Sequence, residues 1–108
     1  MTGRSERLDA IRSAFRRREY RLTVHGLREA IAERISVADI EGAIIGDTAG
    51  IVEDYPDDPR GSSCLILGVT EAGKAIHVVV SYPPQVAVIT VYVPDPERWI
   101  DNRTRRQP

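Results

Sequence analysis

Two histidines, His25 and His77, are the side chains of this sequence best suited to moving a proton near neutral pH. His77 lies in Ala75–Val93, AIHVVVSYPPQVAVITVYV, where two runs rich in β-branched residues flank a proline pair, the pattern of a β-hairpin. With the loop centred on Pro83-Pro84, His77 faces Thr90 and Ala75 faces Tyr92, so an imidazole, a hydroxyl and a phenol share one sheet face. Such a cluster is either solvated or a site. A single histidine on a strand also serves as a satisfied structural group, and one at a helix start, as His25 is, serves as a cap or surface residue. Arg34 falls on the apolar stripe of its helix, three residues past Ile31 and seven past Leu27, where an unpaired guanidinium is costly. It calls for an acidic partner, Glu53 or Glu29, or for an anionic ligand.

These residue types suit one chemistry. Metal-independent cleavage of RNA needs a base for the 2′-hydroxyl, an acid for the leaving oxygen and a cation for the phosphate, and His, Tyr and Arg supply all three. The sequence has no H-E-x-x-H or Cys-x-x-Cys metal spacing, no Gly-rich phosphate loop and no Gly-x-Ser-x-Gly elbow, so neither a metal nor a cofactor is expected. The rival reading is a non-catalytic module in which both histidines are structural and the basic N-terminal helix or an apolar surface recruits a partner.

The elements that must position these residues come in two blocks. Ser5–Arg18 carries Leu8, Ile11 and Phe15 on one helical stripe, and His25–Arg34 carries Leu27, Ala30 and Ile31. Tyr20–Val24 is a short connection, with an extended conformation as its alternative. Ser36 with Asp39 three residues on reads as a helix start, and Val37, Ile40 and Ile44 form the stripe of a third helix ending at Gly46. From Ala49 the period changes to two. Strands are expected at Ala49–Tyr55 and Ser62–Thr70, then in the two arms of the hairpin, with turns at Pro56–Gly61 and Glu71–Lys74. Ile76, Val78 and Val80 with Val91, Ile89 and Ala87 form the apolar face. Carrying the register through the Glu71–Lys74 turn sets Gly68 beside His77, leaving room for a ligand, and a similar extension brings Glu53 to the His77 face. Glu97–Asp101, with Trp99, is read as a closing helical turn. The fold class is α+β: two or three N-terminal helices packed on a four-stranded antiparallel meander, in two layers.

At 108 residues the chain suits a single domain over 1–108, with flexible ends at 1–4 and 102–108. It contains no apolar run long enough for a membrane span and no secretory leader pattern, so the cytoplasm is the expected location. Its single cysteine, Cys64, precedes Leu65, Ile66 and Leu67 and reads as a small buried hydrophobe. The net charge of −1 hides an uneven distribution. Residues 1–28 hold eight arginines against three acids, residues 102–108 three arginines against none, and the stretch between them four basic residues against thirteen acidic ones. Basic ends fit a polyanion partner or simply a solvated helix face.

The segments Val24–Ser36, Asp39-Ile40, Ile51–Pro56, Ile76–Val80 and Ile89–Tyr92 together resemble the bacterial domain-of-unknown-function family 4258 over about residues 20–100. That family looks like a distant relative of RelE-type and BrnT-type toxins, small ribonucleases with helices packed on an antiparallel sheet. The resemblance implies a toxin-like, metal-independent endoribonuclease of a toxin–antitoxin pair, with RNA as substrate. It also implies a cognate antitoxin, a zinc-ribbon or DNA-binding protein, as partner, and favours His25, Arg34, His77, Thr90 and Tyr92 as catalytic residues.

Overall fold

The apolar stripes of the first and third helices and one face of a sheet close on each other in the computed structural model, which describes residues 3–107. Ile11, Ala14 and Phe15 of α1 (Arg4–Arg16) and Ile40, Ala43 and Ile44 of α3 (Val37–Ile45) meet Cys64, Ile66, Ile76, Val78, Val80, Val88 and Val91 from the strands. The fold is α+β, and helix–sheet layering follows because each element has only one face to bury. Ser36 caps α3 as expected: its hydroxyl accepts from the Asp39 amide while the Asp39 carboxylate accepts from the Ser36 amide, a reciprocal capping box. α2 (Val24–Ala32) is capped by Thr23, whose hydroxyl accepts from the Gly26 amide.

The sheet has five strands, not four. β2 (Gly50–Tyr55), β3 (Ser63–Val69), β4 (Ala75–Ser81) and β5 (Ala87–Tyr92) form the expected antiparallel meander. A two-residue strand β1 (Arg21–Leu22), in the stretch read as a connection or an extended segment, pairs parallel with β5 and makes the order β1-β5-β4-β3-β2. Past β1 the chain turns directly into α2. The Thr23 hydroxyl donates to the carbonyl of Val88 at 3.0 Å, and a Cβ on Gly26 would stand 2.7 Å from that oxygen, so the helix lies against the sheet edge where only glycine fits.

Three register expectations need correction. The turn after β3 is one residue longer than read: Val69 pairs with Ala75, and the Thr70 amide donates to the Lys74 carbonyl around Gly73 at φ +87°. Gly68 therefore faces Ile76, and its missing side chain makes room for α3, since a Cβ there would lie 2.4 Å from the Ala43 carbonyl oxygen. Ile89 is an extra residue in β5, because Val79 pairs with Thr90 but Val80 with Val88. This bulge turns Val88 and Val86 into the core and Ala87 away from it, reversing the expected facing of that half of the strand. A second bulge in β2, between Ile51 and Glu53, leaves Ile51 packed against the core while Glu53 pairs with Leu65 on the His77 face.

The C-terminal segment is part of the fold. Trp99–Ile100 is a strand, β6, instead of a helical turn, and pairs with β7 (Thr104–Arg105) through Asp101 and Asn102, both at positive φ. Residues 102–107, expected as a flexible end, thus complete a ribbon. At the other end Arg4 already opens α1; residues 1, 2 and 108 of the expected flexible ends lie outside the described residues.

Candidate functional site

His77, Leu65, Val79 and Glu53 lie on the sheet face turned away from α1 and α3, and that face is divided into two halves. Over one half sits the C-terminal ribbon. His77 is fully buried there: its Nε2–H donates to the Asn102 carbonyl at 2.6 Å, and its Nδ1 accepts from the Tyr92 hydroxyl at 3.2 Å. Trp99 packs edge-on against the imidazole at 4.5 Å, and the Arg105 guanidinium lies over the outer side of the indole at 4.6 Å. Arg105 also holds Glu53 through Nε at 2.9 and 3.1 Å. Burial pushes the His77 pKa down from its ordinary value despite the Asn102 carbonyl and the Glu53 charge, so the ring is held neutral. Burial also raises the Tyr92 phenol, helped by Glu53 and Glu29 and opposed by Arg105. The Glu53 carboxyl is lowered against its own burial, because Arg105 and the Tyr55 hydroxyl both bond its charged form.

The other half is an open groove of about 610 Å³. Its floor is Ser63 and Ser81, which pair across β3 and β4, with Val79, Ala87, Ile89 and Thr90. The β5 bulge is what turns the adjacent Ile89 and Thr90 both into it. One wall is Arg21 of β1, Thr23 and His25 at the start of α2; the other is Tyr55, Asp58, Arg60 and Gly61. Gly61 takes φ +120°, which the tight turn requires and which other residues adopt only with strain. Arg60 is held in place by Asp58, Nε and Nη2 each at 3.2 Å from the carboxylate. The hydrogen bond and charge of Arg60 keep the Asp58 carboxyl below its usual range. Tyr55 donates to Glu53, and burial together with that bond pushes its phenol up to about 12. His25 is exposed, with Nε2 3.1 Å from Glu29 one turn along the helix. Arg21 is exposed and has no acidic partner among the described residues.

The five residues singled out from the sequence therefore do not converge on one point. His25 and Thr90 line the groove; His77 and Tyr92 bond each other beneath the ribbon. Arg34 belongs to neither half. It is exposed and follows the end of α2 at φ +58°, where its amide donates to Ile31 and that of Ile35 to Ala30, a Schellman closure. The helical stripe that was to bury it is not buried either: Gly26 and Ala30 face the sheet, while Leu27 and Ile31 face solvent. Arg21, Tyr55, Arg60 and Ser63 of the groove were not singled out. Alternation from His77 already put Ser81 on this face, but Arg21 was one arginine among eight and Arg60 belonged to a turn. Among the described residues no cluster of three or more His, Cys, Asp or Glu side chains gathers to hold a metal, and no helix is long and apolar enough to cross a membrane.

No curated protein and no solved structure matches the chain. The pattern of the DUF4258 family, described as a domain of unknown function, matches residues 22–93. The matched segment runs from β1 to the end of β5 and so takes in the floor and both walls of the groove except Arg21, while α1 and the C-terminal ribbon lie outside it. On that match over two thirds of its length, the chain belongs to the DUF4258 family.

Proposed function

We propose that the protein is a toxin-like, metal-independent endoribonuclease that works in the open groove, with His25 as its proton-transfer residue. The observation that carries this reading is the meeting of His25, the unpaired Arg21, the Asp58-braced Arg60 and the hydroxyls of Tyr55, Ser81 and Thr90 around one open cleft. An exposed His–Glu pair one helical turn apart is by itself an ordinary surface contact. Here its imidazole borders a groove that offers cations and the Thr90 hydroxyl to a phosphodiester.

In this mechanism Arg21 and Arg60 hold the phosphate. A ring nitrogen of His25 accepts the 2′-hydroxyl proton while the 2′-oxygen bonds to phosphorus. The P–O5′ bond breaks as the departing oxygen takes a proton from solvent water, and the hydroxide left behind recovers the proton held by His25. The products are a 2′,3′-cyclic phosphate and a 5′-hydroxyl. His77 and Tyr92 lie beside the groove on the same sheet face, beneath the ribbon, and support the fold there. The resemblance to RelE-type and BrnT-type toxins supports the same substrate.

The test is cleavage of an end-labelled single-stranded RNA by the purified protein in the presence of a chelator, with an all-deoxy control. Cyclic-phosphate ends from RNA, no cleavage of the deoxy strand, and a loss of about 100-fold or more in His25→Ala are expected. Intact RNA with verified folded protein would overturn the reading.

A further inference from the structure

α2 uses its smallest residues to meet the body of the protein and leaves its largest aliphatic ones in water. Gly26 and Ala30 are buried against β5, whereas Val24 and Ile31 are each 68% exposed and Leu27 is 43% exposed. Spaced i, i+3 and i+7, these three form one stripe, and Val37 at the start of α3 adds a further exposed aliphatic at 42%. Exposed aliphatics grouped on one helical face mark a contact surface; single ones do not.

The charges beside the stripe say what it contacts. Arg28 lies on the same side of the helix, four residues after Val24 and three before Ile31, and Arg34 follows three residues after Ile31. Both are exposed, and neither has an acidic partner among the described residues. The helix's own Glu29 lies beside His25, on another side of the helix from the stripe. A second copy presenting this face would set arginine against arginine, a like-charge meeting that disfavours self-association. The face carries no aromatic side chain of the kind that anchors a helix in a lipid interface.

We infer that this face of α2 docks an amphipathic helix of another protein, with apolar residues at i, i+3 or i+4, and i+7 and acidic residues on its flanks. Helix packs on helix by interdigitating such stripes, and the acidic flanks meet Arg28 and Arg34. The surface is separate from the groove, so the inference stands whether or not RNA is cleaved.

Binding is read by fluorescence anisotropy with labelled helical peptides carrying one leucine stripe and either glutamate or lysine flanks. Wild type is expected to favour the glutamate peptide by about tenfold. The pair Arg28→Glu with Arg34→Glu is expected to reverse that preference, and Leu27→Ser with Ile31→Ser, both at exposed positions, to weaken binding by about tenfold or more. Circular dichroism confirms the fold of each variant. Equal affinity for both peptides, no binding of either, or binding indifferent to Leu27→Ser with Ile31→Ser would overturn the inference. So would self-association of wild type, or sedimentation with anionic vesicles, that the same serine pair abolishes.

Discussion

Ser63 and Ser81 face each other across β3 and β4, and four residues along the same two strands Leu67 faces His77. Strands, face and register are shared, yet the serines floor an open groove while His77 is sealed beneath Trp99 and Asn102. The difference comes from what stands over each half. A ribbon held by the Arg105–Glu53 pair and by stacking on Trp99 closes one half, and two walls that do not meet leave the other open. A histidine's chemistry is decided by its cover: with both ring nitrogens engaged and the charged form desolvated, His77 serves the fold, and His25, exposed on the groove wall, is available for a ligand.

Removing the cover should have the largest effect. Trp99→Ala takes away an indole that is 3% exposed and packs on His77, and is expected to cost about 3–5 kcal/mol in urea unfolding. In the same variant the His77 resonances should titrate nearer the ordinary histidine value, because water reaches the ring; unchanged titration would mean that the ribbon does not desolvate it. His77→Ala leaves the Asn102 carbonyl and the Tyr92 hydroxyl without their partner and should cost about 2–4 kcal/mol.

The pH dependence has a definite sign. Above the ordinary value of 6.5, folded and unfolded chains both carry a neutral imidazole at His77. As pH falls through that value the unfolded chain takes up a proton that the folded chain binds only at lower pH, so stability declines across that window and levels off below the folded-state pKa. His77→Gln should flatten this slope, measured as the urea midpoint across the window; an equal slope in the variant would assign the effect elsewhere.

Smaller effects sharpen the contrast. Arg105→Gln removes the half-exposed clasp on Glu53 and is expected to cost about 1 kcal/mol, less at high salt. In the groove, Arg21→Gln should reduce the slope of log affinity for single-stranded RNA against log salt by about 0.7, the share of one phosphate contact. Arg34→Gly relieves a left-handed residue and should raise stability by about 1 kcal/mol, as Arg18→Gly should at the matching end of α1. Only Arg34→Gly should also weaken the glutamate peptide.

The elements with strong periodicity were legible in the sequence. The stripe of Leu8, Ile11 and Phe15, the Ser36–Asp39 cap and the alternation through Ile76, Val78 and Val80 each forecast an element that is present. What escaped has no periodic signature. β1 is two residues long, the bulge at Ile89 is a single extra residue that reverses Val86–Val88, and β6 and β7 are two residues each. Alternation alone gave His77 and Tyr92 the same face. That a ribbon more than twenty residues further along would bury the imidazole is a tertiary fact, since pairing through Asp101 and Asn102 depends on left-handed conformations that no alternation encodes. Arg34 was misplaced because its helix's aliphatic stripe was read as core, and composition alone does not tell a stripe facing the sheet from one facing solvent.

The most direct measurement compares RNA cleavage by wild type, His25→Ala and His77→Gln at equal concentrations of folded protein. A loss of about 100-fold or more in His25→Ala, with cleavage retained in His77→Gln, is the result predicted if the open half acts and the covered half supports it. Cleavage that survives His25→Ala but vanishes in a folded His77→Gln would contradict the account and move the chemistry beneath the ribbon.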